Sequence, residues 1–366
     1  MAESGRLRGV LGLVADTQYA DADDGWSYDK SEKRYFRASV DGTRMLASAW
    51  AALPVLVGDD EPETPEAALA PFAVSGRSGD GHATEADDVV FAPQMVVHLG
   101  DVVDGRHGTS HLVDAVHVIT SELRKAGAPV VCLAGNHEFY HARAEGDAAR
   151  EVLAGALGWG DATLRGSWSL LPGQLRVICI DTYEISVMGA LGGLESEAAA
   201  QAAALLAANN PNEIKNSPEG LVGNDARWVA FGGGTSEAQV QWLEAELAAA
   251  ATAGERAVVC SHVPLHPRGA ERPTNVVWNY EAFESVLTTY ATAGVLVACF
   301  AGHDHTGVFA LAESDDDPLP HFVTLPAILT SPPGTTAGAL AHIYDDRIEL
   351  VGFGNCPSAR LPFRKR

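Results

Sequence analysis

The chain has no long hydrophobic run, no excess of positive charge and no paired-cysteine pattern, and each of these gaps narrows what it can be. The apolar run nearest the N-terminus, Val10 to Ala15, follows Glu3, Arg6 and Arg8 and is too short for a signal h-region or a membrane span. Lys and Arg number 25 against 48 Asp and Glu, a formal charge of −23 with pI near 4.8. Nucleic-acid and anionic-membrane surfaces are built from clustered Lys and Arg, so neither partner is expected, and phosphate charge would have to be met locally by metal ions. Of the five cysteines, Cys132, Cys179, Cys260 and Cys299 sit inside apolar runs, and no CxxC pair or disulfide framework is present; all five, Cys356 included, read as reduced. The expected location is cytoplasmic.

What is present is a chain of 366 residues, 46% apolar, able to bury a real core. Short apolar runs predict buried strands at Leu7–Ala15, Met95–Leu99, Pro129–Ala134, Leu175–Ile180, Ala257–Cys260 and Val295–Phe300. Helical patterns fall between many of them: Ser31–Ala51, Leu112–Ala126, residues 195–208, Glu281–Ala293, and Val240–Leu247, which an S-x-x-Q capping box at Ser236 and Gln239 opens. After residue 306, His321–Leu325, Ala339–Tyr344 and Ile348–Phe353 read as antiparallel strands closing a second sheet. The alternation predicts one α/β domain over residues 1–366, with a solvated acidic insertion at 55–88 and a helix/loop insertion at about 186–235 whose Gly/Asn/Pro-rich part can pack beside the site.

Five polar turns each follow an apolar run: Asp16-Thr17-Gln18, Gly100-Asp101, Gly135-Asn136-His137-Glu138, Ser261-His262 and Gly302-His303-Asp304-His305. Taken singly they are weak, since a Gly-Asp or Asp-x-Gln is commonly a turn or cap and a His-x-His commonly a solvated loop. Together, at the carboxyl edge of a sheet where α/β folds place ligands, they supply oxygen and imidazole donors for divalent cations. Asp101 is the natural bridge, because one carboxylate can hold two cations ~3.5–4 Å apart. Asn136, His262 and His303 would complete one shell, and His305 would join Asp16 and Gln18 at the other. The remaining histidines are assigned no role, and Asp21, Asp23 and Asp24 read as a solvated run.

These turns match, in order, the D-x-[H/Q], GD, GNH[D/E], H and GHxH blocks of the calcineurin-like metallophosphoesterase superfamily, which implies a four-layer sandwich of two mixed β-sheets flanked by helices. A narrower likeness runs through Ala15 to Asp21, Arg34-Tyr35-Phe36-Arg37, Gly100 to Gly105, Gly135 to Tyr140, Asn210 to Glu213, Asn216 to Leu221, Trp242-Leu243 and Trp278-Asn279-Tyr280. It resembles the manganese-dependent ADP-ribose/CDP-alcohol diphosphatase family. That resemblance implies hydrolysis of the diphosphate bond of ADP-ribose, CDP-choline or CDP-glycerol to a nucleoside monophosphate and a phosphorylated sugar or alcohol. It also implies His137 as the group assisting the leaving phosphate, and Tyr28 as an aromatic substrate contact. Gln18, where most of the superfamily has histidine, makes one half of the site richer in oxygen and suits Mn²⁺ or Mg²⁺, with Zn²⁺ and Fe²⁺ still able to enter. The competing readings are a phosphomonoesterase or cyclic-nucleotide phosphodiesterase on the same scaffold, and a binding protein without turnover.

Overall fold

A computed structural model describes residues 5–27, 30–56, 89–105, 112–171, 173–190, 192–193, 195–314 and 316–365. Tyr28, most of the 55–88 segment, and His82, His107 and His111 lie outside the described residues. In chain order the elements are β1 (Leu7–Val14), β2 (Gly25–Trp26), β3 (Lys33–Arg34), α1 (Ala38–Ala51), β4 (Met95–His98), α2 (Leu112–Arg124), β5 (Val130–Cys132), α3 (Asn136–Ala142) and α4 (Ala149–Leu157). There follow β6 (Gly166–Leu171), β7 (Leu175–Cys179), α5 (Glu197–Asn209), α6 (Glu237–Thr252), β8 (Arg256–Cys260), α7 (Tyr280–Thr292) and β9 (Leu296–Ala301). The chain ends with β10 (Val308–Ala310), β11 (His321–Thr324), β12 (Ala337–Tyr344), β13 (Arg347–Gly354) and β14 (Ala359–Pro362).

Two six-stranded sheets result, ordered β14-β13-β12-β1-β4-β5 and β10-β11-β9-β8-β7-β6. Both are mixed. β1, β4 and β5 run parallel while β12, β13 and β14 add antiparallel; β7, β8, β9 and β11 run parallel with β6 and β10 antiparallel at the edges. Alternate side chains leave a strand on opposite faces, and that period divides the core in two. Leu11, Leu13, Met95, Val97, Leu175, Val177, Val258, Cys260, Phe300, Ala339 and Ala341 meet between the sheets. Their neighbours Val10, Val14, Val96, Ile178 and Val259 face outward, into a cluster with Leu46 and Trp50 of α1, Ile119 and Leu123 of α2, Leu243 and Leu247 of α6, and Phe283 and Leu287 of α7. Each such side chain contributes roughly 1.5–3 kcal/mol on burial. The expected four layers are therefore present, and the strands parallel to one another open their carboxyl ends toward a common seam.

Three expectations need correction. The helix predicted over Ser31–Ala51 begins at Ala38, because Lys33–Arg34 pairs in a two-stranded ribbon with Gly25–Trp26 and the Tyr35 N–H goes to the Leu329 carbonyl at 2.9 Å. The segments after residue 306 do not share one sheet: β11 joins the second sheet parallel to β9, while β12 and β13 extend the first beyond β1. Only half of the capping box forms. Ser236 Oγ accepts from the Gln239 N–H at 3.1 Å, but the Gln239 side chain turns to Asp181 and Glu184, and Glu184 Oε2 takes the Ser236 N–H at 2.8 Å. The five cysteines are buried and unpaired, as read.

Below the seam, Asp181 at the end of β7 pairs with Arg150, whose guanidinium also donates to the Gly189 carbonyl at 2.7 Å; both side chains are buried. Burial alone pushes the Asp181 carboxyl up, Arg150 and the Tyr183 N–H pull it down, and the net is a raised value. Removing one partner of a buried pair leaves an uncompensated charge. Asp181→Ala should therefore lower unfolding stability by roughly 3–5 kcal/mol in urea denaturation, and a loss under 1 kcal/mol would show that Arg150 finds other compensation.

Candidate metal centre

The site lies where turns after β1, β4 and β5 of one sheet face turns after β8 and β9 of the other. The first two turns are zipped together by backbone: Asp16 N to Gly100 O at 3.2 Å, Gln18 N to Asp101 O at 2.9 Å, Tyr19 N to Val102 O at 3.1 Å. Bonds also cross between the sheets. His262 Nδ1 is 2.8 Å from the Leu99 carbonyl, and the His303 N–H points at both Asp16 carboxylate oxygens, at 3.2 and 3.0 Å. A donating Nδ1 fixes the tautomer and leaves Nε2 facing inward. His262 Nε2 then lies 3.5 Å from Asp101 Oδ2 and 3.2 Å from His303 Nδ1.

On the other side His305 Nε2 is 3.5 Å from Asp16 Oδ1, and its Nδ1 is 2.8 Å from Glu32 Oε1. The donor atoms form two sets, each within 4.8 Å mutually: Asp101, His262, His303 and Asp16, Asp101, His305. Asp101 belongs to both, which is the geometry expected of a bridging carboxylate.

Two further observations fit cations rather than an ordinary polar core. His303 Nε2 and Gln18 Oε1 are buried without a hydrogen-bond partner among the described residues, a state that costs ~1–3 kcal/mol for a polar group unless something else satisfies it. The Gln18 amide sits 3.0 Å from Asp101 Oδ2 and 2.9 Å from His305 Nε2, so a half-turn of this pseudo-symmetric group directs its oxygen into the second set. The backbone is also forced: Asp16, Gln18, Asp101 and His303 have φ of 51°, 38°, 55° and 67°, left-handed conformations that cost non-glycine residues on the order of 1–2 kcal/mol each. Close approach excludes side chains at two glycines. A Cβ at Gly135 would lie 2.1 Å from Asp101 Oδ1, and one at Gly302 would lie 2.6 Å from Asp16 Oδ2.

Asn136 opens α3, and its amide oxygen is 3.3 Å from the Tyr183 hydroxyl. The next residue, His137, donates its backbone N–H to Asp101 Oδ1 at 2.8 Å. The His137 ring stands at the rim, with Nδ1 3.0 Å from the Gly105 N and 3.3 Å from Asp104 Oδ2, and Nε2 4.0 Å from Asp101 Oδ2. All of the predicted site residues except Tyr28, which is outside the described residues, thus converge on one seam.

Several supporting groups carried no role in the sequence reading. Glu138 takes the N–H groups of Gly135, Asp101 and Val103 at 2.7, 3.0 and 3.0 Å, clamping two ligand turns together; its place in Gly-Asn-His-Glu was the available signal. Asp104, three residues past Asp101, was visible in the same way. Glu32 was not, because 273 residues separate it from His305. His98 and His141, left unassigned, are buried with hydrogen bonds to Thr17 and the Asp104 carbonyl. Asp304 accepts from the Glu271 and Arg272 N–H groups and anchors the loop after β8. The connection expected beside the site does reach it, since the Phe231 ring is 5.9 Å from that of His303.

A model of the calcineurin-like phosphoesterase family matches residues 83–307. The chain belongs to this family. Over 365 residues it is 31% identical to the manganese-dependent ADP-ribose/CDP-alcohol diphosphatase of Danio rerio, covering 97% of this chain and 98% of the relative. The Oryza sativa protein of the same name is 30% identical, with 96% and 94% coverage. Among solved structures, a dimetal phosphatase from Danio rerio superimposes with TM-score 0.77 at 30% identity, covering 98% of this chain and all of the other.

Electrostatics set the pH behaviour of this phosphoesterase centre. Burial opposes ionisation of Asp101, but His262 and His137 outweigh it and hold the carboxyl below the usual range. Burial likewise pulls His262 and His305 down, while Asp101 raises the first to about 9, and Asp16 with Glu32 raises the second to about 10. His303 moves the other way, lowered by burial and by His262. In the metal-free protein, protons on His262 and His305 offset the buried carboxylates. Because both values exceed the ~6.5 of free imidazole, that stabilisation is complete below about pH 6.5 and is lost as pH rises through about 9 to 10. Cations must displace those protons. The gain in melting temperature on adding Mn²⁺ to chelator-treated protein should therefore grow between pH 6.5 and 9, with proton release seen by calorimetry in buffers of different ionisation enthalpy. A pH-independent gain without proton release would contradict this.

Proposed function

We propose that this chain is a dinuclear, manganese-dependent diphosphatase that splits ADP-ribose to AMP and ribose 5-phosphate, and CDP-alcohols to CMP and a phosphorylated alcohol. The observation carrying the proposal is the pair of donor sets sharing Asp101 in a chain similar over nearly its whole length to diphosphatases of that name. Asp16, Gln18, Asp101 and His305 would hold one cation, and Asp101, Asn136, His262 and His303 would hold the other. Oxygen donors predominate in the first set, which favours Mn²⁺ or Mg²⁺. Two such cations supply positive charge to the phosphoryl oxygens and lower the pKa of water from ~15.7 toward ~7.

The protein's own groups do the rest. The Gly105 N–H bonds to Nδ1 of the neutral His137 ring, and Asp104 Oδ2, 3.3 Å from the same nitrogen, takes over as acceptor when Nδ1 is protonated; either contact leaves Nε2 facing the cradle. Burial lowers the proton affinity of His137, and Asp101 and Asp104 more than restore it, giving a raised value. A protonated imidazole at the rim can hand its proton to the departing phosphate oxygen, which needs no covalent enzyme intermediate. Tyr140, edge-on to His137 at 5.3 Å and 40% exposed, walls the same rim.

A nucleotide-sized small molecule is the proposed substrate; the net charge of −23 speaks against nucleic acid. No described helix is long and apolar enough to cross a membrane, and buried, unpaired cysteines suit a reducing compartment, so a cytoplasmic site of action is proposed. We also propose a single domain over residues 1–366, with residues 55–88 and about 186–235 as insertions, on the ground that one inter-sheet core draws on strands from both ends of the chain.

The Mn²⁺-loaded protein should cleave ADP-ribose and CDP-choline and leave phosphomonoesters and cyclic nucleotides little changed. His137→Ala should lower kcat by about 10²–10⁴ while retaining two metals per chain. Preferential monoester or cyclic-nucleotide hydrolysis would replace the diphosphatase reading, and loss of metal with His137 would make that residue a ligand or scaffold.

A further inference from the structure

The two donor sets are backed unequally. His262 Nδ1 lies 2.8 Å from the Leu99 carbonyl, a neutral acceptor, and His303 Nδ1 has His262 Nε2 as its neighbour at 3.2 Å. His305 instead turns Nδ1 to a carboxylate from outside the proposed ligands, Glu32 Oε1 at 2.8 Å. An ionised carboxylate offers only lone pairs, so the hydrogen of this contact lies on Nδ1, and the lone pair of the neutral ring is left on Nε2. That nitrogen faces Asp16 Oδ1 at 3.5 Å and the Gln18 amide at 2.9 Å.

Glu32 is itself held in place. Arg34 Nε donates to the same Oε1 at 3.1 Å, the Glu32 N–H donates to Ser27 Oγ at 3.0 Å, and the Glu32 carbonyl takes the Ser27 N–H at 2.8 Å, beside the ribbon that pairs β2 with β3. The side chain is 21% exposed, so it can be changed without opening a cavity in the hydrophobic core. The set it backs contains a single imidazole, with Asp16, Gln18 and Asp101 offering oxygen. A His305 ring free to turn, or to move its hydrogen to Nε2, takes the one nitrogen donor out of that set.

We propose that Glu32 is a positioning residue for one cation of the pair: it fixes the tautomer and orientation of His305 and so sets the affinity of the Asp16, Gln18, Asp101 and His305 set, leaving that of His262 and His303 alone. The inference rests on the dinuclear reading, whatever the substrate, and adds that the two cations have separately adjustable supports.

The test is a calorimetric titration of chelator-treated full-length protein with Mn²⁺. Wild type should take up two ions. In Glu32→Ala one dissociation constant should rise about 10- to 100-fold, the usual cost of losing the carboxylate behind a ligating histidine, and the other by less than about threefold. Glu32→Gln keeps an acceptor oxygen of the same reach without the charge and should fall between the two; it carries the test if the alanine variant does not fold. At a Mn²⁺ concentration that fills both sites of wild type, electron paramagnetic resonance should show a spin-coupled pair in wild type and an isolated ion in Glu32→Ala, a change that mere loss of stability does not produce. Unchanged affinity in both variants, or equal weakening of the two ions, would overturn the role of Glu32. Uptake of fewer than two ions by wild type would overturn the dinuclear reading itself, a result read before any substitution is made.

Discussion

Two carboxylates buried almost completely and held next to three imidazoles form the constraint on which the rest of this molecule depends. Asp16 and Asp101 are at most 1% exposed, and an isolated buried carboxylate is too costly to persist. Positive charge has to reach them. In the protein alone it comes as protons on His262 and His305; in the proposed working form it comes as cations, which would also satisfy His303 Nε2 and Gln18 Oε1. The cradle is therefore unfavourable in isolation and is held in place by its surroundings.

Those surroundings explain features that otherwise look unrelated. Four of the proposed ligand residues sit in left-handed backbone, and two glycines admit no side chain, because the turns are compressed until their donors meet. Glu138 offsets part of that strain by collecting three N–H groups from two turns. Burial, then Asp101, lifts its carboxyl to about 7, against the pull of those donors. His262 and His303 reach from one sheet to the other through Leu99 and Asp16, so the packing between the sheets and the geometry of the centre are set together. The inner faces of the strands supply the rigidity that strained turns require.

Much of this could be read in the residues because short-range chemistry fixes it. Short apolar runs located six strands within one or two residues, and the polar turns straight after five of them supply the residues that meet at the seam. What escaped detection depends on distant partners. The ribbon at Lys33–Arg34 displaced the start of α1, since its pairing partner and the Leu329 carbonyl are not local. Gln239 forms only half of its capping box because Asp181 and Glu184, 58 and 55 residues away, compete for its amide. β11, β12 and β13 resemble one antiparallel unit, yet sheet membership was decided by the exposed edges of β9 and β1. Glu32 and Arg34 sit in a polar stretch without periodicity, and only the folded chain brings them to His305.

Anomalous diffraction at the manganese edge from Mn²⁺-loaded crystals tests the central claim most directly. The account predicts two peaks per chain about 3.5–4 Å apart, with an Asp101 oxygen coordinating both. A single peak, or two ions that do not share Asp101, would contradict it.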